Sequence, residues 1–167
     1  MSLTIRDATP ADAAACAAIY RPYVLDTAIT FETSPPTPAE MAERIAAAHA
    51  WLVACLADDV IGYAYAGPFA TRAAYRWSCE VSVYVDRERR RTGAGRALYG
   101  ELLPRLTSRG FQVAVAKTTQ PNEPSMALHA AFGFQLIGTH PRIGFKNGAW
   151  HDVAITQLNL APRTDPT

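Results

Sequence analysis

The sequence predicts an α/β (α+β) fold, in which a mixed sheet of about seven strands carries helices on both faces. β-rich runs occur in pairs joined by turn residues, as they do in antiparallel hairpins. Segments with apolar residues at helical spacing lie between these runs. The resulting order, β-α-α-β-β-β-α-β-α-β-β, groups strands with strands, so a doubly wound parallel sheet is excluded.

The first half of the chain predicts one strand, two helices and a hairpin. Residues 3–8 alternate between apolar and polar side chains, as an edge strand does. Helix start signals follow twice, and the second is a capping box at Thr37 that predicts a helix reaching His49. Two β-rich runs come next and predict a hairpin with its turn at Asp58-Asp59.

The second half of the chain predicts alternating strands and helices and then a closing hairpin. Asn147-Gly148 is the strongest short hairpin signal in the sequence. The elements are expected at strand 77–85, helix 93–109, strand 111–118, helix 124–132 and hairpin 134–160.

Length and composition fit one globular domain, expected at residues 1–160 and followed by a short disordered tail at 161–167. Of the 167 residues, 49% are hydrophobic, which allows a sizeable core. The 16 Lys and Arg nearly balance the 15 Asp and Glu, so any basic binding site must be local. This balance, and the lack of aromatic residues among the basic ones, argue against a nucleic-acid-binding module.

The cysteines and the hydropathy pattern indicate a cytoplasmic protein. Cys16, Cys55 and Cys79 are odd in number and widely spaced, without the CxxC pattern or the spacing of a metal site. We therefore expect buried thiols in a reducing compartment and no bound metal. The first residues lack the apolar run of a signal peptide, and no apolar stretch has membrane-spanning length, so we expect no membrane partner.

The stretch VYVDRERRRTGAGRALYGELL, residues 83–103, places several arginines and two glycines between a strand and a helix. A helix N-terminus exposes unpaired N–H groups and carries about half a positive charge, which suits a phosphate group. Gly93 and Gly95 allow the backbone to approach an anion closely, and the arginines add cations. On spacing alone, a solvated charge run beside a loop glycine is a nearly equal interpretation.

Two other phosphate-binding motifs fail on details. A P-loop requires Lys-Ser or Lys-Thr after its glycines, and neither follows Gly95. The dinucleotide fingerprint GxGxxG/A requires a small third residue, and this chain has Leu98 there.

The pattern Arg90-x-x-Gly93-x-Gly95, between a strand and a helix, resembles the pyrophosphate-binding motif of the GNAT acetyltransferase superfamily. The stretch NEPSMALHAAFGF resembles the second signature of that family, and the likeness covers about residues 3–160. Within the family, YAYAGPF, AAYRW and GAWHDV are similar to the phosphinothricin and methionine sulfoximine N-acetyltransferases. The resemblance implies a GNAT-like, mostly antiparallel sheet, acetyl-CoA as the donor and a homodimer. It also implies acetyl transfer to the α-amine of a small amino acid or analogue.

The resemblance implies where the cofactor binds. The backbone of the strand before the turn would pair with the pantetheine arm, and the turn would bind the pyrophosphate. Asn122, just before the later short helix, and Ser125, within it, would meet the reactive end of the arm. The implied cofactor-binding residues are Val83, Tyr84, Val85, Arg90, Arg91, Thr92, Gly93, Ala94, Gly95, Arg96, Asn122 and Ser125.

Glu80 and His129 are the implied catalytic residues. The amine of an amino acid is mostly protonated at neutral pH, so a base must accept a proton before the amine attacks the thioester. Glu80 stands where related enzymes carry their proposed base; otherwise it is an outward-facing strand carboxylate. His129 stands where most GNAT enzymes have a Tyr that is thought to protonate the departing thiolate. Which of the two is the main base stays open.

The resemblance also implies a set of substrate-binding residues. Arg72 would bind the substrate carboxylate through its planar guanidinium, with Tyr75 close by. Lys146 would add a positive charge, either in the site or across a subunit interface, and is equally well interpreted as a solvated residue beside a turn. Ala70 stands where some phosphinothricin enzymes have Lys, which leaves phosphinothricin itself an open question. The full set is Phe31, Arg72, Tyr75, Glu80 and Lys146.

Two other functions stay open within the resemblance. One is a GNAT enzyme that acetylates protein N-termini or lysines, although the loop GPFATRAAYRW is typical of a site closed over a small substrate. The other is a non-catalytic acetyl-CoA-binding sensor, which the presence of Glu80 and His129 disfavours.

Overall fold

The computed structural model describes residues 2–162 and residue 165, and in this part of the chain the predicted order of strands and helices is confirmed. None of the described helices is long and apolar enough to cross a bilayer. The predicted disordered tail falls mostly on positions 163, 164, 166 and 167, which lie outside the described residues. The elements are β1 (Leu3–Asp7), α1 (Ala13–Asp26), α2 (Pro38–Ala47), β2 (Ala50–Leu56), β3 (Asp59–Pro68), β4 (Ser78–Val85), α3 (Ala94–Ser108), β5 (Val113–Thr119), α4 (Glu123–Ala131), β6 (Gln135–Lys146) and β7 (Ala149–Asn159).

The seven strands form one sheet in the order β1-β2-β3-β4-β5-β7-β6. The pairing of β4 with β5 is parallel, and the other five strand pairs are antiparallel. The predicted mixed, mostly antiparallel sheet is therefore confirmed.

The sheet has a hydrophobic core on each face, because side chains alternate in direction along a strand. Leu52 and Ala54 of β2 pack with α3, and we call this side the α3 face. Trp51 and Val53, at the alternate positions, pack with α1 and α2 on the α1 face. Helices thus cover both faces, as predicted.

Two element boundaries differ from the prediction. The second helix ends at Ala47 and not at His49, because Ala48 is extended and the His49 N–H donates to the Ala66 carbonyl, 2.8 Å away. The turn of the first hairpin comes one residue earlier than expected, since Asp59 already pairs with Leu56.

The closing hairpin turns where the sequence predicts. Asn147 and Gly148 have φ of 53° and 74°, the left-handed conformation that two-residue hairpin turns of type I′ require. The three cysteines are also buried free thiols, as expected, and burial raises the pKa of Cys16 and of Cys79 to about 12.

The strands β4 and β5 separate partway along their length. They pair only at Ser78–Glu80 with Val113–Val115, whereas β3 stays paired with β4 from Cys79 to Val85. Beyond Glu80 the two central strands therefore diverge. This divergence, the splay, opens a cleft through the middle of the sheet.

Candidate active site

The first cavity lies in the splay and opens on the α3 face. One wall is β4 at residues 81–84, and the facing wall is β5 at residues 116–119. Ile29 and side chains from α3, α4 and the Asn122 cap complete the lining: Tyr99, Asn122, Ser125 and His129. Three candidates from a later part of the sequence, Asn122, Ser125 and His129, thus line the same cleft as Val83, whose backbone is the predicted partner of the cofactor.

A second cavity, of about 480 Å³, lies on the α1 face of the same splay. Its lining includes Tyr20, Phe31, Tyr65 and Glu80. The two cavities share five lining residues: Ile29, Ser82, Tyr84, Lys117 and Thr119. The splay therefore connects a cleft on one face of the sheet with a pocket on the other.

The backbone groups of Val83 and Val85 point into the splay. The Asp86 N–H donates to the Ile61 carbonyl of β3, and backbone groups alternate in direction along a strand. Those of Val83 and Val85 consequently face away from β3, as a role in pairing with an extended ligand requires. The Val85 carbonyl accepts a hydrogen bond from the Tyr23 hydroxyl at 2.5 Å.

Tyr84, a predicted cofactor residue, is oriented differently. Its backbone lies opposite Tyr63 in the β3 ladder, and its ring packs edge-on against Tyr20 and Tyr23 at 4.9 and 5.2 Å between centroids. It lines both cavities. Its side chain is thus a wall between the two cavities, on the α1 face.

The arginine–glycine turn lies at the end of the cleft. Arg91 and Gly93 have positive φ, of 64° and 81°, and α3 begins at the next residue. A Cβ added at Gly95 would lie 3.5 Å from Leu128 and 3.9 Å from Val85, so the first turn of α3 packs directly against α4 and β4. The N–H groups of this helix start, of which that of Ala94 lies 3.4 Å from the Thr92 Oγ1, are therefore next to the strand whose backbone faces the splay.

His129 is buried and hydrogen-bonded through both ring nitrogens. Nδ1 lies 2.7 Å from the Ser125 carbonyl, which can only accept, so Nδ1 carries the proton. Nε2 then accepts from the Tyr99 hydroxyl at 2.9 Å. Burial lowers the pKa of His129, and burial raises the pKa of Tyr99, so both groups are neutral at neutral pH.

Tyr99 is a site residue that sequence reasoning missed. It lies among Leu98, Leu102 and Leu103 on α3, and those neighbours are typical of a core helix face. Its ring does pack in that core, but its hydroxyl reaches the cavity wall beside His129. A hydroxyl on an otherwise apolar helix face was the available signal.

The neutral state of His129 predicts a pH dependence of stability. Because burial lowers its pKa in the folded protein, the unfolded chain binds a proton more readily below pH 6.5. The free energy of unfolding should therefore decrease as the pH falls from 6.5 toward the lowered folded value. His129→Gln should reduce this slope in urea denaturation series, whereas His140→Gln, at an exposed position of β6, should not. Equal slopes in the wild type and His129→Gln would contradict the assignment.

Glu80 lies in the wall of the second cavity, with Lys117 beside it. The Lys117 Nζ is 3.2 Å from the Glu80 Oε2, and the two side chains are 46% and 31% exposed. Sequence reasoning missed Lys117, because nothing in the sequence indicates that the strands that carry the two residues are neighbours. The pair places a carboxylate and an ammonium at the point where the two cavities meet.

Arg72 and Tyr75 lie in the loop between β3 and β4. Arg72 is exposed and directly precedes a single 3-10 turn, Ala73–Tyr75. The Tyr75 ring is 43% exposed and packs edge-on against Phe69, with 5.3 Å between centroids. The loop starts next to Glu80, since Gly67 pairs with that residue, but these two side chains lie outside the walls of both cavities.

Lys146 is buried, so its interpretation as a solvated residue beside a turn is wrong. It is 6% exposed, and its Nζ donates to the carbonyls of Thr30 and Glu32, at 2.8 and 2.7 Å. Burial lowers its pKa, and the nearby Glu32 partly opposes that change. Phe31, between those two carbonyls, lines the second cavity. Lys146 thus contacts the segment that forms the pocket wall.

Comparisons with known proteins all match this chain to acetyltransferases. The chain matches the acetyltransferase (GNAT) domain family over residues 5–155. It is 42% identical to a phosphinothricin N-acetyltransferase of Streptomyces viridochromogenes over 93% of this chain and 87% of that protein. It is 36% identical to an L-methionine sulfoximine/L-methionine sulfone acetyltransferase of Pseudomonas paraeruginosa, over 97% of each. The crystal structure of a GNAT superfamily phosphinothricin acetyltransferase from Sinorhizobium meliloti, in complex with acetyl-CoA, has a TM-score of 0.94 and 41% identity, covering 100% of this chain and 93% of that one.

Proposed function

We propose that this chain, which belongs to the GNAT acetyltransferase family, acetylates the α-amine of a small amino acid or amino-acid analogue. It is an N-acetyltransferase, and acetyl-CoA is its acetyl donor. The observation that carries the substrate proposal is the meeting of two cavities at the splay. A thioester in the cleft on the α3 face would face an amine in the pocket on the α1 face.

The donor would bind along the splay and the helix start. The backbone groups of Val83 and Val85 offer hydrogen bonds to an extended amide chain such as pantetheine. The first N–H groups of α3, which follow Gly93, suit the pyrophosphate. Asn122 and Ser125, at the start of α4, line the same cleft nearer to His129.

Glu80 would accept the proton from the substrate ammonium, directly or through a water. The neutral amine then attacks the thioester carbon and forms the new C–N bond. The C–S bond breaks, and its electron pair goes to sulfur. Glu80 lines the pocket on the α1 face, so the base would lie on the side from which the amine approaches. Lys117, whose Nζ is 3.2 Å from the Glu80 Oε2, would hold this carboxylate in place.

His129 and Tyr99 would act on the sulfur side of the reaction. His129 has no proton on Nε2, so its part is to orient the Tyr99 hydroxyl. The hydroxyl has a single hydrogen, which it donates to His129 Nε2 before the reaction, so it would turn from Nε2 to donate a hydrogen bond to the departing thiolate. The nitrogen that has attacked loses its second proton to that thiolate, directly or through a water, which completes the thiol, and Glu80 returns the first proton to the solvent. This assigns Tyr99 the contact that the sequence alone would assign to His129.

The size of the second cavity favours a single amino acid over a peptide. About 480 Å³ is within the range of small-molecule pockets. The relatives named for phosphinothricin and for methionine sulfoximine are matched over almost their whole length, which supports an acceptor of that size.

The test is a thiol-release assay with acetyl-CoA and a panel of acceptors. The panel contains methionine sulfoximine, methionine sulfone, phosphinothricin, the twenty amino acids, a peptide with a free N-terminus and a small amine without a carboxylate. We expect transfer to one or more of the amino-acid acceptors and little to the amine or the peptide. Transfer to the peptide alone would overturn the proposal in favour of a protein acetyltransferase.

Arg72 and Lys117 are the two candidates for binding the acceptor carboxylate. Whichever of them binds it, replacement by Ala should raise the Michaelis constant for amino acids about 10- to 150-fold, the value of a lost charge-assisted hydrogen bond. The acetyl-CoA constant should be unchanged. Lys117 lines the pocket, whereas the Arg72 role needs movement of the exposed loop. An equal rise in the Michaelis constant for the amine without a carboxylate would assign the altered residue a structural role.

We further propose that the protein forms a homodimer through the β6–β7 hairpin. β6 is the last strand of the sheet, and large apolar side chains on this hairpin are more than half exposed: Leu136, Ile137, Ile143, Phe145 and Trp150. A second copy with the same apolar surface is the partner that the fold itself supplies. Sedimentation of the wild type as a monomer at micromolar concentration would overturn this proposal.

A further inference from the structure

One wall of the acceptor pocket is a short segment, residues 29–32, which we call the wall segment. Ile29, Thr30 and Phe31 all line the cavity on the α1 face. Phe31 contributes an aromatic ring, and its neighbours on both sides are attached to other parts of the protein. The position of this ring therefore decides how much space an acceptor side chain has.

The backbone of the wall segment is fixed on both sides of Phe31. The buried Lys146 Nζ binds the Thr30 carbonyl at 2.8 Å and the Glu32 carbonyl at 2.7 Å. The Tyr20 hydroxyl lies 2.6 Å from the Thr30 Oγ1 and also donates to the Glu32 carboxylate. Because these bonds come from α1 and from β6, the segment cannot shift as a unit without breaking several of them.

The carboxylate of Glu32 is fixed as well. Arg44 of α2 binds it through both guanidinium nitrogens, at 2.6 and 2.9 Å. This bidentate pair and the Tyr20 hydroxyl lower the pKa of Glu32, so it stays charged at neutral pH. The segment that carries Phe31 thus has rigid attachments to three elements of the fold.

The Phe31 ring rests on a glycine of β6, two residues before Lys146. A Cβ added at Gly144 would lie 2.2, 2.5 and 2.8 Å from three carbon atoms of that ring. Such distances are far below the usual contact of about 3.5 Å between carbon atoms. Only a residue without a side chain leaves room for the ring in this position, and the Gly144 backbone is conformationally ordinary.

We propose that Gly144 is a specificity-determining position, because it lets the Phe31 ring lie against β6 and so sets the width of the acceptor pocket. The inference rests on the proposed function, since it assigns the pocket to an acceptor. Any side chain at position 144 would push the ring away from β6. As the backbone of the wall segment is fixed, the ring can only turn, and the cavity that it lines is one of its open sides; the other is solvent, since Phe31 is 39% exposed.

The test compares two glycine-to-alanine variants in the same strand. Gly144→Ala should lower kcat/KM for the best acceptor of the panel by about 10- to 200-fold, the range for a change of one methylene in a pocket. The loss should grow with the length of the acceptor side chain. Gly138→Ala is the matched control, because a Cβ there meets nothing within 4 Å, and it should behave as the wild type.

A second variant separates the ring from other effects of the alanine. Phe31→Leu in the Gly144→Ala background removes the bulk that collides and should restore kcat/KM to within about threefold, since coupled neighbours give non-additive effects. The calorimetric affinity for coenzyme A should be unchanged in all variants, which also confirms that they fold. Because the Phe31 and His151 rings are 6.2 Å apart, the His151 ring-proton NMR signals should shift in Gly144→Ala and not in Gly138→Ala.

The outcomes distinguish the inference from the function on which it rests. Wild-type kinetics in Gly144→Ala, or a loss that Phe31→Leu does not restore, would overturn the role of Gly144. A wild type that transfers acetyl groups to no acceptor of the panel would overturn the proposed function instead. In that case the NMR signals would still report whether the ring moves.

Discussion

Replacing Glu80 with Gln should lower the turnover number about 100- to 10,000-fold, the usual effect of losing a general base. The substitution keeps the shape of the side chain in the wall of the acceptor pocket but removes its ability to accept a proton. The affinity for coenzyme A should be unchanged, because Glu80 lies on the α1 face and the donor cleft opens on the α3 face. Steady-state kinetics and calorimetric titration measure the two effects separately.

The pH profile distinguishes a base from a structural carboxylate. At high pH more of the acceptor amine is already neutral, so the deficit of Glu80→Gln should become smaller there. Glu101→Gln, which removes an exposed carboxylate from α3, is the matched control and should leave turnover unchanged. Wild-type turnover in Glu80→Gln at neutral pH would exclude Glu80 as the base.

Replacing Gly95 with Val should weaken coenzyme A binding by about 10- to 150-fold for each charge-assisted hydrogen bond that is lost. A Cβ at this position already reaches within 3.5 Å of Leu128, so the two methyl groups of Val must point partly toward the anion or displace α4. Gly93→Val would be a less specific test. Its φ of 81° strains any residue with a side chain, at a cost of about 1–3 kcal/mol in stability.

Gly100→Val is the control for Gly95→Val. It places the same side chain in the same helix at a position where a Cβ meets nothing within 4 Å. It therefore lowers the stability of the helix as any β-branched residue does, without crowding the cleft. Arg89→Ala should also have little effect, because Arg89 pairs with Asp59, at 3.4 Å, and both side chains are exposed. Unchanged coenzyme A affinity in Gly95→Val would contradict the phosphate-binding role of the turn.

The parts of the site that lie close together in the sequence could be predicted from it. The turn around Gly93, the Asn122 cap and His129 belong to two local strand-or-cap-to-helix units, and their spacing indicates their geometry. The turn at Asn147 was predictable for the same reason, because its conformation depends on two residues. Local chemistry determines these features, so a local pattern reveals them.

The contacts between distant segments could not be predicted. The sequence leaves Lys146 open between the substrate site, a subunit interface and solvent, because its partners, Thr30 and Glu32, lie more than a hundred residues earlier in the chain. The same holds for Lys117 beside Glu80, which depends on the order of the strands in the sheet. No periodicity in the sequence encodes these neighbours.

Because the site is divided between the two faces of the sheet, substitutions in β4 should affect either the acceptor or the donor, depending on the face to which the side chain points. Glu80, Ser82 and Tyr84 line the acceptor side, while Val81 and Val83, at the positions between them, pack on the donor side. A saturation scan of this strand should therefore give phenotypes that alternate with a period of two. Substitutions at the even-numbered positions would change which acceptors are used. Substitutions at the odd-numbered positions would change the Michaelis constant for acetyl-CoA. Selection for a new acceptor could then act on every second residue of one strand and leave donor recognition intact.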